Sequence, residues 1–195
     1  MIRIALAALL AAPAAFAAEY HVDPSHASAG FYVKHMMVSK VHGALNIKSG
    51  TIEYDEKAPE KTTVEVTIDA ASIKTGDDKR DGHLKSPDFF DVAKFPTITF
   101  KSTKVESAGE GKLKVTGNLT MHGVTKPITL DVEGPTAAVK SPWGNMVRAV
   151  SATGTVNREE FGLSWNKALE AGGVVVGKEV TLDLNAEISP PAPKK

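Results

Sequence analysis

Alternation of apolar and polar residues dominates the chain from residue 18 onward. Ala29, Phe31, Val33 and His35 fall on one face of a strand, and Leu45, Ile47, Ile52 and Tyr54 follow. Val64, Val66 and Ile68 alternate with Glu65, Thr67 and Asp69; Ile98 and Phe100 alternate with Thr97, Thr99 and Lys101. The same period recurs at Leu113, Val115, Leu119 and Met121, at Ile128, Leu130 and Val132, and from Val180 to Ile188. Val147 to Val156 is a Thr- and Ser-rich stretch of small residues. A period of two is that of strands with one buried face. It predicts about eight or nine strands.

The connections predict antiparallel pairing. Residues 56–59, 108–111 and 122–125 read as short turns. Parallel pairing would need repeated helical crossovers, and the spacing leaves no room for them. One helical insert is expected between Ile73 and Phe95, with Ser86 before Pro87 as a helix start. A second long connection runs from Gly134 to Asn145, and there is no internal repeat. The segment 189–195, with its three prolines, is expected to be a disordered tail. Antiparallel strands with one polar face leave two all-β architectures, a sandwich or a closed barrel. A barrel of about eight strands has an interior that is either filled by side chains or able to hold one small ligand. The inward sets mix Phe31, Phe100 and Leu113 with Ala29, Gly43, Gly117 and Ala152. Small residues there mean either bends or vacant volume, and Gly43, Gly117 and Gly123 are read as bends or turns.

The first 17 residues break the pattern. Arg3 precedes an Ala- and Leu-rich run that ends Ala15-Phe16-Ala17. That run is short for a bilayer span and ends as a signal-peptidase site does. Residues 1–17 are therefore expected to be a signal peptide, cleaved after Ala17. The chain beyond it is expected to be periplasmic and not membrane-spanning.

Composition narrows the chemistry. The chain has no cysteine, which removes disulfides, thiolate metal sites and Cys nucleophiles. Its 23 basic and 23 acidic side chains balance, so it lacks the cationic surplus of a nucleic-acid binder. No nucleophile elbow, zinc helix or phosphate-cradling loop occurs, and no catalytic residue is assigned. The six histidines, His21, His26, His35, His42, His83 and His122, lack the paired spacing of a zinc site. His35 and Met37 could mark a metal or haem site at a barrel mouth, or polar groups rimming an apolar cavity. Asp23, Ser25 and His26 hold triad residue types as near neighbours, which rarely gives triad geometry. Phe89, Phe90 and Phe95 either plug a core or line a ligand entrance, with Arg80, Asp81 and His83 just before them.

The ordered motifs resemble a known family. They begin Tyr20-His21-Val22-Asp23-Pro24-Ser25-His26, then Phe31-x-Val33-x-His35 and Gly43. Thr75-Gly76, Arg80-Asp81-Gly82-His83-Leu84 and Ser86-x-Asp88-Phe89-Phe90-Asp91 follow. Phe95-Pro96-x-Ile98-x-Phe100-x-Ser102, Gly117-x-Leu119-x-x-His122 to Pro127, Arg158-x-x-Phe161-Gly162 and Val176-Gly177 complete the pattern. The chain over residues 19–188 resembles the YceI-like proteins, a lipocalin-like polyisoprenoid-binding family of the bacterial periplasm. The resemblance implies an eight-stranded antiparallel lipocalin-like barrel with a short helical insert, spanning 18–188. It implies a binding or carrier protein, not an enzyme, whose apolar pore holds a polyisoprenoid, an isoprenoid quinone or a similar amphiphilic lipid. A homodimer and an electron-transfer partner in the membrane are the further associations it raises; it implies no cofactor. By alternation and family pattern, Phe31, Val33, Ile98, Phe100, Leu113, Val115 and Leu182 are expected to line the pore. Phe89 and Phe90 are expected at one end, with His35 and Arg80 as head-group contacts. The alternatives are an enzyme acting on a pore-bound lipid through His35 or His122, or a metal- or haem-associated stress protein.

Overall fold

A computed structural model describes residues 17–191. The signal peptide expected over 1–17 therefore lies outside the described residues except for Ala17, as do the last four residues of the tail. The strands are β1 (Ala18–His35), β2 (Ser39–Leu45), β3 (Ile47–Tyr54), β4 (Thr63–Asp69) and β5 (Thr97–Gly109). They continue with β6 (Lys112–Met121), β7 (Val124–Glu133), β8 (Val139–Lys140), β9 (Met146–Asn157) and β10 (Val176–Ser189). Ser189, expected in the tail, is still in β10 and pairs with His21.

Eight strands close a ring in the order β10, β1, β3, β4, β5, β6, β7, β9, and β9 returns to pair with β10. Every pairing is antiparallel. The barrel alternative is therefore the correct one. The two strands beyond the ring have simple origins. β2 and β3 are one long strand interrupted at Asn46, and they pair with the second and first halves of β1 respectively. β8 is a two-residue ribbon paired with the start of β9 outside the wall. The wall is uneven. β9 and β10 pair continuously from Asn157 to Arg148, whereas β7 meets β9 only over Asp131–Glu133 against Ser151–Thr153. Beyond that short run the seam is bridged by His122, whose Nδ1 meets the Phe161 carbonyl at 3.1 Å.

One end of the barrel carries the chain termini and the turns after β3, β5 and β7. The opposite end carries the β1–β2 turn, the insert between β4 and β5, and the segment between β9 and β10. The insert contains one helix, α1 (Asp78–Lys85), and Ser86 ends it instead of starting it. Asp77 is the N-cap, accepting from the Arg80 N–H at 2.9 Å. Pro87 explains the reversal: it forces the preceding residue out of helical geometry. Ser86 sits at ψ 171°, which suits a helix end as well as a beginning. Among the described residues no helix is long and apolar enough to cross a membrane.

Packing is tight at the ends and loose in the middle. Ile188 lies near the termini, and Ile73 and Phe161 lie at the capped end; all three are almost wholly buried. Val64, Val66, Ile68, Leu182 and Leu184 point inward, yet each is only half-buried. Inward apolar side chains keep accessible surface only where the space they face is hollow.

Two glycines help to keep it hollow. A Cβ on Gly43 would lie 2.4 Å from Phe31 Cζ; one on Gly117 would lie 2.4 Å from Phe100 Cζ and 2.6 Å from the Lys101 carbonyl. Each ring thus lies over bare backbone, so Gly43 and Gly117 are recesses for aromatic rings. Gly43 sits in regular pairing and not at a bend, whereas Gly117 also faces the irregularity of β5 between Ser102 and Lys104. Gly123 does occupy a turn, with His122, and both residues have positive φ. Gly117→Ala is expected to push against both the Phe100 ring and the wall backbone. It should destabilise the barrel by about 1–3 kcal/mol, read as a fall in Tm of roughly 2–4 °C per kcal/mol.

Candidate functional site

The interior of the barrel is the main candidate site, a cavity enclosed by inward side chains of the wall. Phe31, Val33, Phe89, Phe90, Ile98, Phe100, Leu113, Val115 and Leu182, the pore residues chosen from the sequence, all face one cavity of about 240 Å³. At about 30 Å³ of liquid volume per water, that is room for roughly eight waters. The wall also includes Val64, Val66, Leu84, Leu130, Leu163 and Leu184, beyond the residues expected from the sequence. Its polar members are Thr62, Ser151, Asn185 and Arg158, and Arg158 is the only ionisable side chain among them. The Thr62 hydroxyl is buried without a hydrogen-bond partner.

Arg158, the first residue of the Arg158-x-x-Phe161-Gly162 motif, is one of these wall residues. It directly follows β9, in a 3-10 turn over Arg158–Phe161 capped by Asn157. Its side chain is 3% exposed as a residue and donates to the carbonyls of Gly177 at 2.9 Å, Val176 at 3.3 Å and Leu163. Burial lowers the guanidinium's pKa, while Glu159, 3.7 Å away, acts in the opposite direction. An arginine remains cationic at neutral pH regardless. Three carbonyl acceptors replace the water that a buried cation would lose. They also fasten the segment 162–176 across the capped end. Asn166 adds a second clasp, donating to the Val176 carbonyl at 2.8 Å and accepting from the Val176 N–H at 3.0 Å.

The insert closes the same end. His83 packs edge-on against Phe89 and Trp165, with centroids 5.1 and 4.9 Å away, and Phe89 lies 5.4 Å from Trp165. The His83 Nε2 meets Asp88 Oδ2 at 2.8 Å. Phe89 is buried and faces the cavity, so it plugs the end and lines the lumen at once.

Neither proposed head-group contact is on the cavity wall. His35 ends β1, half-buried, opposite Ser39 and Val176. Arg80 is drawn to Thr75, its Nε donating to Oγ1 at 2.7 Å and its Nη2 to the carbonyl at 2.9 Å. Asp81 accepts from the Thr75 N–H at 2.8 Å and hydroxyl at 2.6 Å. Chiefly the Thr75 hydroxyl, acting against burial, lowers the Asp81 carboxyl pKa. Together these groups brace α1 against the residues after β4.

Asp23, Ser25 and His26 do meet, outside the barrel, at the irregularity in β1 between Val22 and Ala27. His26 presents one nitrogen, Nδ1, to both Asp23 Oδ2 at 3.0 Å and Ser25 Oγ at 3.2 Å. The Ser25 hydroxyl donates to Asp23 Oδ1 at 2.6 Å. A proton relay needs the two imidazole nitrogens on different partners, so the cluster is a local hydrogen-bonded turn. Hydrogen bonds from Ser25 and then His26 hold the Asp23 carboxyl down to about 2. His26 is raised by Asp23 and by Glu187, 3.9 Å away.

Known proteins share this architecture. The Burkholderia cenocepacia protein BcnA has a crystal structure that superimposes with a TM-score of 0.71 at 23% identity, covering 85% of this chain and 98% of that one. A polyisoprenoid binding domain from Saccharophagus degradans superimposes with a TM-score of 0.58 at 16% identity, covering 88% and 98%. In sequence, a UPF0312 protein of Staphylococcus aureus (strain bovine RF122 / ET3-1) is 40% identical over 167 residues, covering 86% of this chain and 95% of that protein. The model of the YceI-like domain matches residues 20–188, β1 through Ile188 of β10. With its closed barrel, its hollow apolar interior and a match along nearly all of its described length, the chain belongs to the YceI-like family.

Proposed function

We propose that the chain is an exported binding protein that carries a long apolar lipid, of the polyisoprenoid or isoprenoid-quinone class, inside the barrel. The observation that carries this reading is the hollow lumen, walled almost entirely by aliphatic and aromatic side chains. The name of the Saccharophagus degradans domain, which shares the fold, points to the same ligand class. The leader read over 1–17 supports export to the periplasm. A homodimer and a membrane electron-transfer partner belong to the same reading.

The energetics suit such a ligand. Each methylene moved from water into an apolar space contributes roughly 0.8 kcal/mol, so a long isoprenoid gains most of its affinity without directional contacts. Ordering and association oppose that gain, and non-covalent affinities saturate near about −20 kcal/mol. Selection then falls on length and on a few polar groups near the ends. His35 and Arg80 lie at the capped end, where a head group projecting past the insert would meet them. The carrier reading is one of binding without chemistry, so the lipid leaves as it entered.

Protein purified from its own cells should release a lipid on solvent extraction that mass spectrometry identifies as an intact isoprenoid. Recovery of detergent alone, with no gain in Tm on adding isoprenoids, would sink the proposal. A ligand present at about 100 times its Kd should stabilise the fold by about 2.7 kcal/mol. Ala152→Phe projects a ring into the lumen, and it should cut lipid binding at least tenfold while leaving the Tm of the empty protein unchanged or raised. Arg158→Met strands three buried carbonyls and should cost about 3 kcal/mol of stability. It should also speed lipid release, measured as a higher koff.

A further inference from the structure

Three consecutive apolar side chains stand in water at the tip of the β1–β2 hairpin. Met36 is 46% exposed, Met37 55% and Val38 87%. Single exposed apolar residues are ordinary, but an uninterrupted run of them at a tip is a solubility fault unless something covers it. The backbone there is strained as well. Met36 and Met37 have φ of 50° and 64°, and the Val38 N–H closes the turn on the His35 carbonyl at 3.1 Å. Two central residues with positive φ make the turn that Asn-Gly fills easily. Side chains with a Cβ adopt it at a cost.

The flanks of the tip are cationic. Lys34 and Lys40 are exposed, and residues 34–40 contain no acid. Lys40 Nζ rests 4.1 Å above the Tyr32 ring, which holds it beside the tip. An apolar apex with a lysine collar matches a bilayer surface: the apex enters the acyl boundary and the ammonium groups stay among anionic head groups.

A second exposed apolar set, Val139, Trp143 and Met146, lies at the opposite end beside Lys140, but its members are not consecutive. Val139 pairs with Val147 and Met146 pairs with Lys140, so the ribbon divides its apolar side chains between two faces. Trp143 stands near its apex, where Gly144 supplies the positive φ. Arg148 of the same ribbon is already paired with Glu56 at 2.5 Å.

The Met36–Val38 tip also touches the cap of the lumen. The Met36 N–H donates to the Val175 carbonyl at 2.7 Å, and Met37 Cγ lies 3.1 Å from where a Cβ of Gly173 would stand. The segment beneath it contributes Leu163 and Val176 to the cavity wall. We infer that this hairpin tip docks the chain on an anionic lipid bilayer, with Met36, Met37 and Val38 in the acyl boundary and Lys34 and Lys40 on the head groups. The inference stands on the hairpin and does not need the occupant of the lumen to be known.

Sedimentation with vesicles of phosphatidylcholine, with and without phosphatidylglycerol, tests it. Wild type and variants share one background, so any contribution of residues 1–17 is common to all. The protein should bind the anionic vesicles more strongly, and added salt should weaken the binding. Lys34→Gln and Lys40→Gln should each lower affinity about fivefold. Met36→Asn with Met37→Gly and Val38→Ser should abolish binding while raising Tm by a few degrees, because the turn strain is relieved. That pairing of higher stability with lost binding excludes misfolding as the cause. Trp143→Ser should leave binding intact. Equal sedimentation of wild type and the triple variant would overturn the inference, as would absence of binding to either vesicle. Loss of binding with Trp143→Ser alone would overturn it too. So would vesicle-free self-association that the triple variant removes, since a second copy would then be the occupant.

Discussion

Closure of the sheet on itself is the constraint on which the rest depends. Once β9 pairs with β10, the ring strands have partners on both sides and the barrel has an inside and an outside. An open sheet could bury its apolar face against a second layer. A closed one buries that face only against itself or against a guest. In this chain the two ends pack densely and the middle does not. The recesses at Gly43 and Gly117 draw two phenylalanine rings back onto the wall, so the large side chains that could fill the lumen line it instead.

The same closure explains where polar chemistry is found. Backbone groups in the wall are spent on the ladder, leaving polar side chains to act at the rims. Arg158 ties down the cap, Arg80 and Asp81 brace the helix through Thr75, and His122 spans the thin β7–β9 seam. Each of these charged or polar groups holds the container together. The lumen itself is left with shape and apolarity, a combination suited to a ligand with a long hydrocarbon tail.

Much of this was legible in the sequence because a strand's period of two is a local property. The spacing of Leu113, Val115 and Leu182 puts them on one face of their strands, and the family resemblance makes that face the lumen wall. The break at Asn46 was hidden because Leu45 and Ile47 on either side of it keep the inward alternation. Ser86 was misjudged because an extended residue before proline suits either helix end, and the Asp77 cap upstream decides between them. The recesses at Gly43 and Gly117 were hidden because their partners, Phe31 and Phe100, lie on neighbouring strands. The role of Arg158 depends on where residues 163, 176 and 177 return in space, which no local pattern encodes. His35 and Arg80 have the polarity of head-group contacts, but their positions put both outside the wall.

The central claim is that the barrel interior, and not an outer face, receives the lipid. Methyl-labelled protein titrated with a polyisoprenoid addresses it directly by NMR. Transfer of magnetisation from the ligand to the methyl groups of Ile98, Val115 and Leu182, with outward methyls silent, is the expected result. Ligand contacts confined to outward-facing methyl groups, with those three unchanged, would contradict the account.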